Sequence, residues 1–403
     1  MSNILFISLN GHQRRYFRAL GEYLKQDYNI YHVDYAAANV ADLFVERKIS
    51  DELNFSQGEI EDIVRFLLVK AQYRNFGWLR RFLHSRPVLL RQVYAAIRYF
   101  YEYINKNNID LVCVWNGTLV PLAAATRVAK KLGRKTLFFE NGYLPNTTTV
   151  DPKGVNNHNS LVGKPPSFYQ KIELDQHKLQ QLYVKPPAVR ELKTRWYQRL
   201  VKKKPQGQPE PVELPKRYLF LPFQVHDDTQ VLLHSPYIKT MRELIECVIP
   251  AVEKHNSNTG DDLWVVVKEH PSDFGRTDYS DLKEKYKNSR VHFLRYYPTP
   301  ELIKHAQGVI TINSSVGIES LLSHKPVITL GNAFYNVSGL VKHIKEPHTL
   351  PEGLQFIDTP VDTGLIDRFL YYLRYIYLAE GSWRQPDEKH FINVKTKIAE
   401  VLA

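Results

Sequence analysis

The sequence is short of the residues that would mark several protein classes. Its two cysteines, Cys113 and Cys247, lie in apolar surroundings and cannot frame a disulfide scaffold or a zinc cluster, which points to a reducing compartment. No apolar run approaches the roughly 18 residues of a membrane-spanning helix. The opening MSNILFISLNG lacks a basic lead and a small-residue cleavage site, so it reads as a first strand and not as a secretory leader. Short-period repeats and low-complexity tracts are missing. So are helix-turn-helix, zinc-finger and aromatic RNA-binding motifs, which leaves nucleic acid with no element to read it. The expected location is the cytoplasm.

What the chain does have is length, apolar content and positive charge. Its 403 residues suit two domains of roughly 150 to 200 residues each. A hydrophobic share of 43% excludes a disordered chain. The formal net charge of +12 implies anionic company: a nucleic acid, a phosphorylated small molecule or an acidic membrane surface.

Strand-like and helix-like runs alternate from the start. NILFISLNG, RRYFRALGEYLKQ and NIYHVDY are followed by IDLVCVWNG, VPLAAATRVAKKLG and KTLFFENGY. This alternation predicts a parallel sheet covered by helices on both faces. Between Lys193 and Pro215 the composition shifts to charge, Pro and Gly, as in an interdomain linker. A second series follows: RYLFLPFQ, LWVVVKEHP, VHFLRYY, GVITINSS and KPVITLGNAFY. The expected division is a Rossmann-like domain over residues 1–195, a linker over 196–215, a second Rossmann-like domain over 216–378, and a C-terminal segment, 379–403, packing back on the first domain. Residues 66–104 interleave Arg with Trp, Phe, Tyr and Leu at helical spacing. Such a helix either lies on anionic lipid or receives a glycan chain, or else carries an ordinary solvated basic face over an apolar one.

Ligands of such sheets bind beyond the carboxyl ends of the strands, and polar residues collect there. ENGYLPNTTTVDPKGVN supplies Glu140 and Asn141, then Thr147, Thr148, Thr149, Asp151, Gly154 and Asn156. A partly desolvated Glu at a strand end can serve as an acid or base; the alternative is a polar loop that satisfies its own backbone. QVHDDTQ supplies Gln224, His226, Asp227 and Asp228, with Asp228 either facing a cleft or capping the next helix. KEHP supplies Lys268, His270 and Pro271, suited to holding a phosphate by charge and hydrogen bond, or else only a turn. VITINSSVGIESLLSHKPVITLG places Asn313, Ser314, Ser315 and Gly317 at a strand-to-helix joint, with Glu319 one turn beyond Ser315. These small residues either cap the helix or leave its N–H groups open to an anion. No ligand ladder for a metal appears.

In order and spacing, ENGYLPNTTTVDPKGVN, LPFQVHDDTQVLLHSPY, KEHP and INSSVGIESLLSHKPVITLGNAFYNVSGL resemble the bacterial capsular polysaccharide synthesis family, the KpsC and KpsS type of β-Kdo transferases. The resemblance runs from about Lys135 to Gly381, and Glu269 stands where the family often has Pro. It implies an α/β, GT-B-like fold, two Rossmann-like domains facing each other across a cleft. It also implies a glycosyltransferase that uses CMP-β-Kdo with retention of the β configuration and adds Kdo to a lipid-linked or polysaccharide acceptor. By this resemblance His270 and Pro271 hold the nucleotide phosphate, and Ser314, Ser315 and Glu319 line the CMP site. Lys268, Asn313, Gly317, Gln224 and Asn141 complete the expected donor contacts. Asp228 is the expected nucleophile of a double displacement and Glu140 its acid/base partner. No cofactor or metal is expected beyond the donor, and an anionic inner-membrane surface is a candidate partner. The rival readings are another CMP-sugar transferase, of the sialic acid type, and a non-catalytic partner of capsule assembly or export.

Overall fold

The computed structural model describes residues 1–35, 53–73, 78–184 and 212–403, the side chains of 78–80 aside. Most of the expected linker, 196–211, lies outside the described residues. The chain divides into two compact units, Met1–Val162 with Arg374–Ala403, and Gly163–Leu373. Both are Rossmann-like α/β units, the class expected from the alternation of strand and helix signals.

In the first unit β1 (Asn3–Ser8), β2 (Asn29–Asp34), β3 (Leu111–Trp115) and β4 (Lys135–Asn141) are parallel in the order β2-β1-β3-β4. The fifth strand, β5 (Thr147–Asp151), adds antiparallel to β4. Continuous apolar runs suit strands covered on both faces. Ile4 and Phe6 face a core with Tyr16, Phe17 and Leu20, while Leu5 and Ile7 face another with Val93, Ile97 and Phe100. The latter three belong to helix Arg86–Lys106, within the Arg-rich segment, whose apolar face is therefore turned to the core. Residues 74–77 of that segment lie outside the described residues.

The stretch after β4 differs from the expected polar loop, because Thr147–Asp151 is a buried strand. Gly142 allows the reversal: a Cβ there would fall 1.9 Å from the Thr147 hydroxyl oxygen. Asp151 accepts N–H bonds from Lys153, Gly154 and Ser160 and hydroxyl bonds from Ser160 and Tyr377. It anchors the fold and holds no outward-facing group.

The second unit has six parallel strands, β6 (Tyr218–Pro222), β7 (Trp264–Lys268), β8 (Val291–Leu294), β9 (Gly308–Thr311), β10 (Val327–Thr329) and β11 (Lys342–His343). Their order, β8-β7-β6-β9-β10-β11, is the 3-2-1-4-5-6 arrangement of dinucleotide-binding sheets. It reverses between β6 and β9, which opens a crevice at their carboxyl ends.

The unit boundary falls at Val162 and Gly163, earlier than the expected residue 195. The reason is packing: Tyr169 of helix Pro166–Gln170 meets Phe369 with ring centroids 5.2 Å apart, and Tyr183 hydrogen-bonds Asp367. A helix closes the second unit. Thr363–Tyr372 gives way to a π turn, Leu373–Tyr377, and the chain re-enters the first unit there. The last strand, β12 (Ala379–Glu380), pairs antiparallel with β5, and helix Glu388–Leu402 buries Val394 and Ile398 in that unit's core. Among the described residues no helix is long and apolar enough to cross a membrane.

Candidate functional site

Three loops meet at the carboxyl edge of the second sheet. They follow β6, β7 and β9. Strands β7 and β9 are not neighbours, since β6 lies between them, so the loop from Gln224 to Asp228 stands between the KEHP turn and the small-residue turn.

Gln224 and Asn313 clamp the two sides of the crevice together. The Gln224 amide donates to Asn313 Oδ1 at 3.1 Å, while its oxygen accepts from the Asn313 N–H at 3.2 Å and the Thr311 hydroxyl at 3.4 Å. Asn313 donates further to the carbonyls of Gln230 and Asn332. Both amides are buried and their groups engage the protein. They shape the crevice.

The small-residue turn is built for close packing. Tyr335 donates its hydroxyl to the Ser314 carbonyl at 2.5 Å, and a Cβ on Gly317 would fall 2.6 Å from that hydroxyl. The N–H groups of Asn313, Ser314, Val316 and Gly317 already donate to Gln224, Thr311, the Ser314 hydroxyl and the Ser314 carbonyl. The capping alternative therefore accounts for these N–H groups. Ser315 is exposed, and Ser314 and Glu319 are half-buried at the same turn.

Lys268 ends β7 and donates to the Thr299 hydroxyl at 2.6 Å. Burial lowers its pKa, offset in part by Glu319. Burial raises the Glu319 pKa, offset by Lys268. The two side chains thus share one electrostatic neighbourhood, and the turns after β7 and β9 border the same crevice. Glu269, between Lys268 and His270, points elsewhere: it is buried and ion-paired to Lys283 at 2.6 Å and Arg295 at 2.9 Å.

His270 caps the short turn Pro271–Asp273, and its Nδ1 accepts the Ser272 N–H at 3.1 Å. An accepting Nδ1 leaves the proton on Nε2. Burial lowers the His270 pKa, Asp273 and Asp228 oppose this, and Lys268 adds to it. His270 is therefore a neutral imidazole with an Nε2–H to offer. Pro271 beside it is exposed.

Asp228 caps helix Thr229–His234 by accepting the Gln230 N–H at 2.9 Å. The cap reading is realised, yet the side chain stays half-buried at the crevice and its charge is felt by His270. His226 and Asp227 contact the loop beyond Pro271, through Asp273 and Arg276.

Glu140 and Asn141 lie in the first unit, at the end of β4. Glu140 Oε2 accepts from Asn116 Nδ2 at 2.7 Å, and Oε1 accepts from the Asn141 N–H and amide. Asn141 in turn accepts the Trp383 indole N–H at 2.8 Å. The sequence reading missed Asn116 and Trp383. Asn116 sits just past β3 with φ of 61°, a conformation that Asn tolerates, and an NG pair after an apolar strand is the signal that could have found it.

Among the described residues no group of three or more His, Cys, Asp or Glu could hold a metal ion. A cavity of about 530 Å³ lined by Lys216, Arg217, Trp264 and His292 opens at the other, amino-terminal edge of the second sheet, away from these loops.

A doubly wound sheet with polar residues at its switch point is the arrangement on which α/β proteins seat their ligands. Comparison with known proteins narrows this. The sequence model of the capsule polysaccharide biosynthesis proteins matches residues 169–349. The chain is 34% identical over 304 residues to Protein FixF of Sinorhizobium fredii, covering 74% of this chain and 68% of that protein. It is 30% identical over 261 residues to the capsule polysaccharide export protein KpsS of Escherichia coli, covering 54% of this chain and 65% of KpsS. The chain belongs to the capsule polysaccharide biosynthesis family. Among solved structures, the Thermosulfurimonas dismutans KpsC β-Kdo 2,7 transferase is similar at 18% identity with a TM-score of 0.46, covering 86% of this chain and 98% of that one.

Proposed function

We propose that the chain is a retaining β-Kdo glycosyltransferase, taking Kdo from CMP-β-Kdo to a lipid-linked or polysaccharide acceptor in capsule or lipopolysaccharide synthesis. The observation that carries this reading is the position of Asp228, Lys268, His270 and Glu319 just beyond the carboxyl ends of β6, β7 and β9, the strands at the switch point of the second sheet. A cation and an imidazole N–H suit the phosphate of CMP, a carboxylate suits a ribose hydroxyl, and a second carboxylate suits attack on an anomeric carbon. Ser314 and Ser315 offer hydroxyls beside Glu319, and Pro271 fixes the turn behind His270.

In this reading Asp228 attacks the anomeric carbon and the bond to phosphate breaks, its electron pair leaving with CMP. The acceptor hydroxyl then displaces Asp228, and retention results from the two inversions. The acceptor hydroxyl also needs a group to take its proton. Donor chemistry requires no metal here, since Lys268 and His270 meet the phosphate charge. The chain would work in the cytoplasm against the inner face of the cytoplasmic membrane, where a lipid-linked acceptor resides.

The test is CMP release from CMP-β-Kdo generated in situ, with CMP-sialic acid as the contrasting donor, for wild type and Asp228→Ala. Release from CMP-β-Kdo alone, lost in the variant with CMP affinity retained, is the expected result. Release from CMP-sialic acid alone would replace the donor. Undiminished release by Asp228→Ala would remove the nucleophile.

A further inference from the structure

His226 and Asp273 form a pair that the donor site as described does not use. They are 47 residues apart in sequence, on the loops after β6 and β7. The Asp273 side chain is only 1% exposed, and it grips His226 twice: Oδ1 lies 2.9 Å from Nδ1, and Oδ2 accepts the backbone N–H at 3.0 Å. A buried carboxylate against Nδ1 requires the proton there, which leaves the lone pair on Nε2. The Thr277 hydroxyl, 3.1 Å from Nδ1, completes the inner side of the ring. The ring is 21% exposed and stands two residues before Asp228.

The tautomer is opposite to that of His270. His270 accepts at Nδ1 and presents an N–H; His226 donates at Nδ1 and presents a lone pair. Asp227 and Asp273 both ion-pair with Arg276, at 3.1 and 3.8 Å, which ties the loop after β6 to the turn after β7. A carboxylate that orients a histidine and stabilises its protonated form is the arrangement that makes imidazole an effective base.

We infer that His226, oriented by Asp273, is the proton acceptor for the attacking hydroxyl, the role the sequence assigns to Glu140. The step rests on the transferase reading above. The hydroxyl oxygen bonds to the anomeric carbon, its proton passes to His226 Nε2, and the bond from that carbon to Asp228 breaks with its electron pair returning to the carboxylate. Departure of CMP needs no base, so the first displacement is untouched. Asp273 is a positioning residue.

The experiment uses the full chain with CMP-β-Kdo and water as the hydroxyl donor, comparing wild type, His226→Gln and Asp273→Asn. His226→Gln is expected to lower turnover roughly 10²- to 10⁴-fold while CMP affinity stays within about twofold. Asp273→Asn should lose less and move the acidic limb of the kcat/KM profile. Wild-type turnover in His226→Gln, or a loss of CMP affinity as large as the loss of rate, would overturn the inference. A wild type that leaves CMP-β-Kdo intact would overturn the donor reading and this step with it. Nitrogen-15 NMR of labelled histidine reads the orientation without activity: Nδ1–H with bare Nε2 is expected at mildly alkaline pH, and an Nε2–H tautomer would overturn the pair's role.

Discussion

At the residue scale the two histidines of the second unit show how a neighbour decides what an imidazole can do. His270 turns Nδ1 to a backbone N–H and keeps Nε2–H outward, while a buried carboxylate reverses this in His226. His270→Ala should weaken CMP binding roughly 10- to 100-fold, the worth of a hydrogen bond to a charged group. Calorimetric titration with CMP measures this; affinity within twofold of wild type would remove His270 from the phosphate contact. The residue types at the site were legible in the sequence because strand ends collect ligand-binding groups. The His226–Asp273 pair was not, since strand β7 and the whole of helix Met241–Thr259 separate its members along the chain.

At the element scale the crevice depends on how three loops are tied. Gln224 joins the loop after β6 to the turn after β9 through buried hydrogen bonds on both sides of its amide. Gln224→Ala would leave the Asn313 amide oxygen and N–H without partners in the interior, at a cost of about 1–3 kcal/mol. A lower denaturant midpoint with an unchanged slope checks this, and an unchanged midpoint would contradict it. CMP affinity should fall as well, because Lys268 and Glu319 are set by those loops. Strands and helices were legible here because apolar runs bounded by turn residues have one dominant reading. The strand Thr147–Asp151 was not, because Thr-rich polar sequence reads as loop until its partners are known. The turn at Asn313 had two readings in the sequence, and the N–H groups of Asn313, Ser314 and Val316 are taken by Gln224, 89 residues away, and by the nearby Thr311 and Ser314 hydroxyls.

At the scale of the whole molecule, histidines partly withdrawn from water set the response to acid. Burial lowers the pKa values of His32, His158, His270, His343 and His390, with like charges adding for the first four. In the unfolded chain these rings take up protons near their ordinary value of about 6.5, whereas the folded chain takes them up only at lower pH. The unfolded state therefore binds more protons in that window. Stability should be fully present above about pH 6.5 and decline as pH falls through the depressed folded values. Thermal denaturation between pH 7.5 and 5.5 measures this, and a midpoint that rises on acidification would contradict it. Domain order was legible only in part. The second parallel sheet was expected, but the early boundary and the return at Arg374 depend on aromatic packing that no local pattern announces. Intact-mass spectrometry of the purified chain after brief incubation with CMP-β-Kdo tests the central claim most directly. The account predicts a Kdo-sized increase that vanishes in Asp228→Ala. The same increase in both proteins, or CMP release undiminished in the variant, would contradict it.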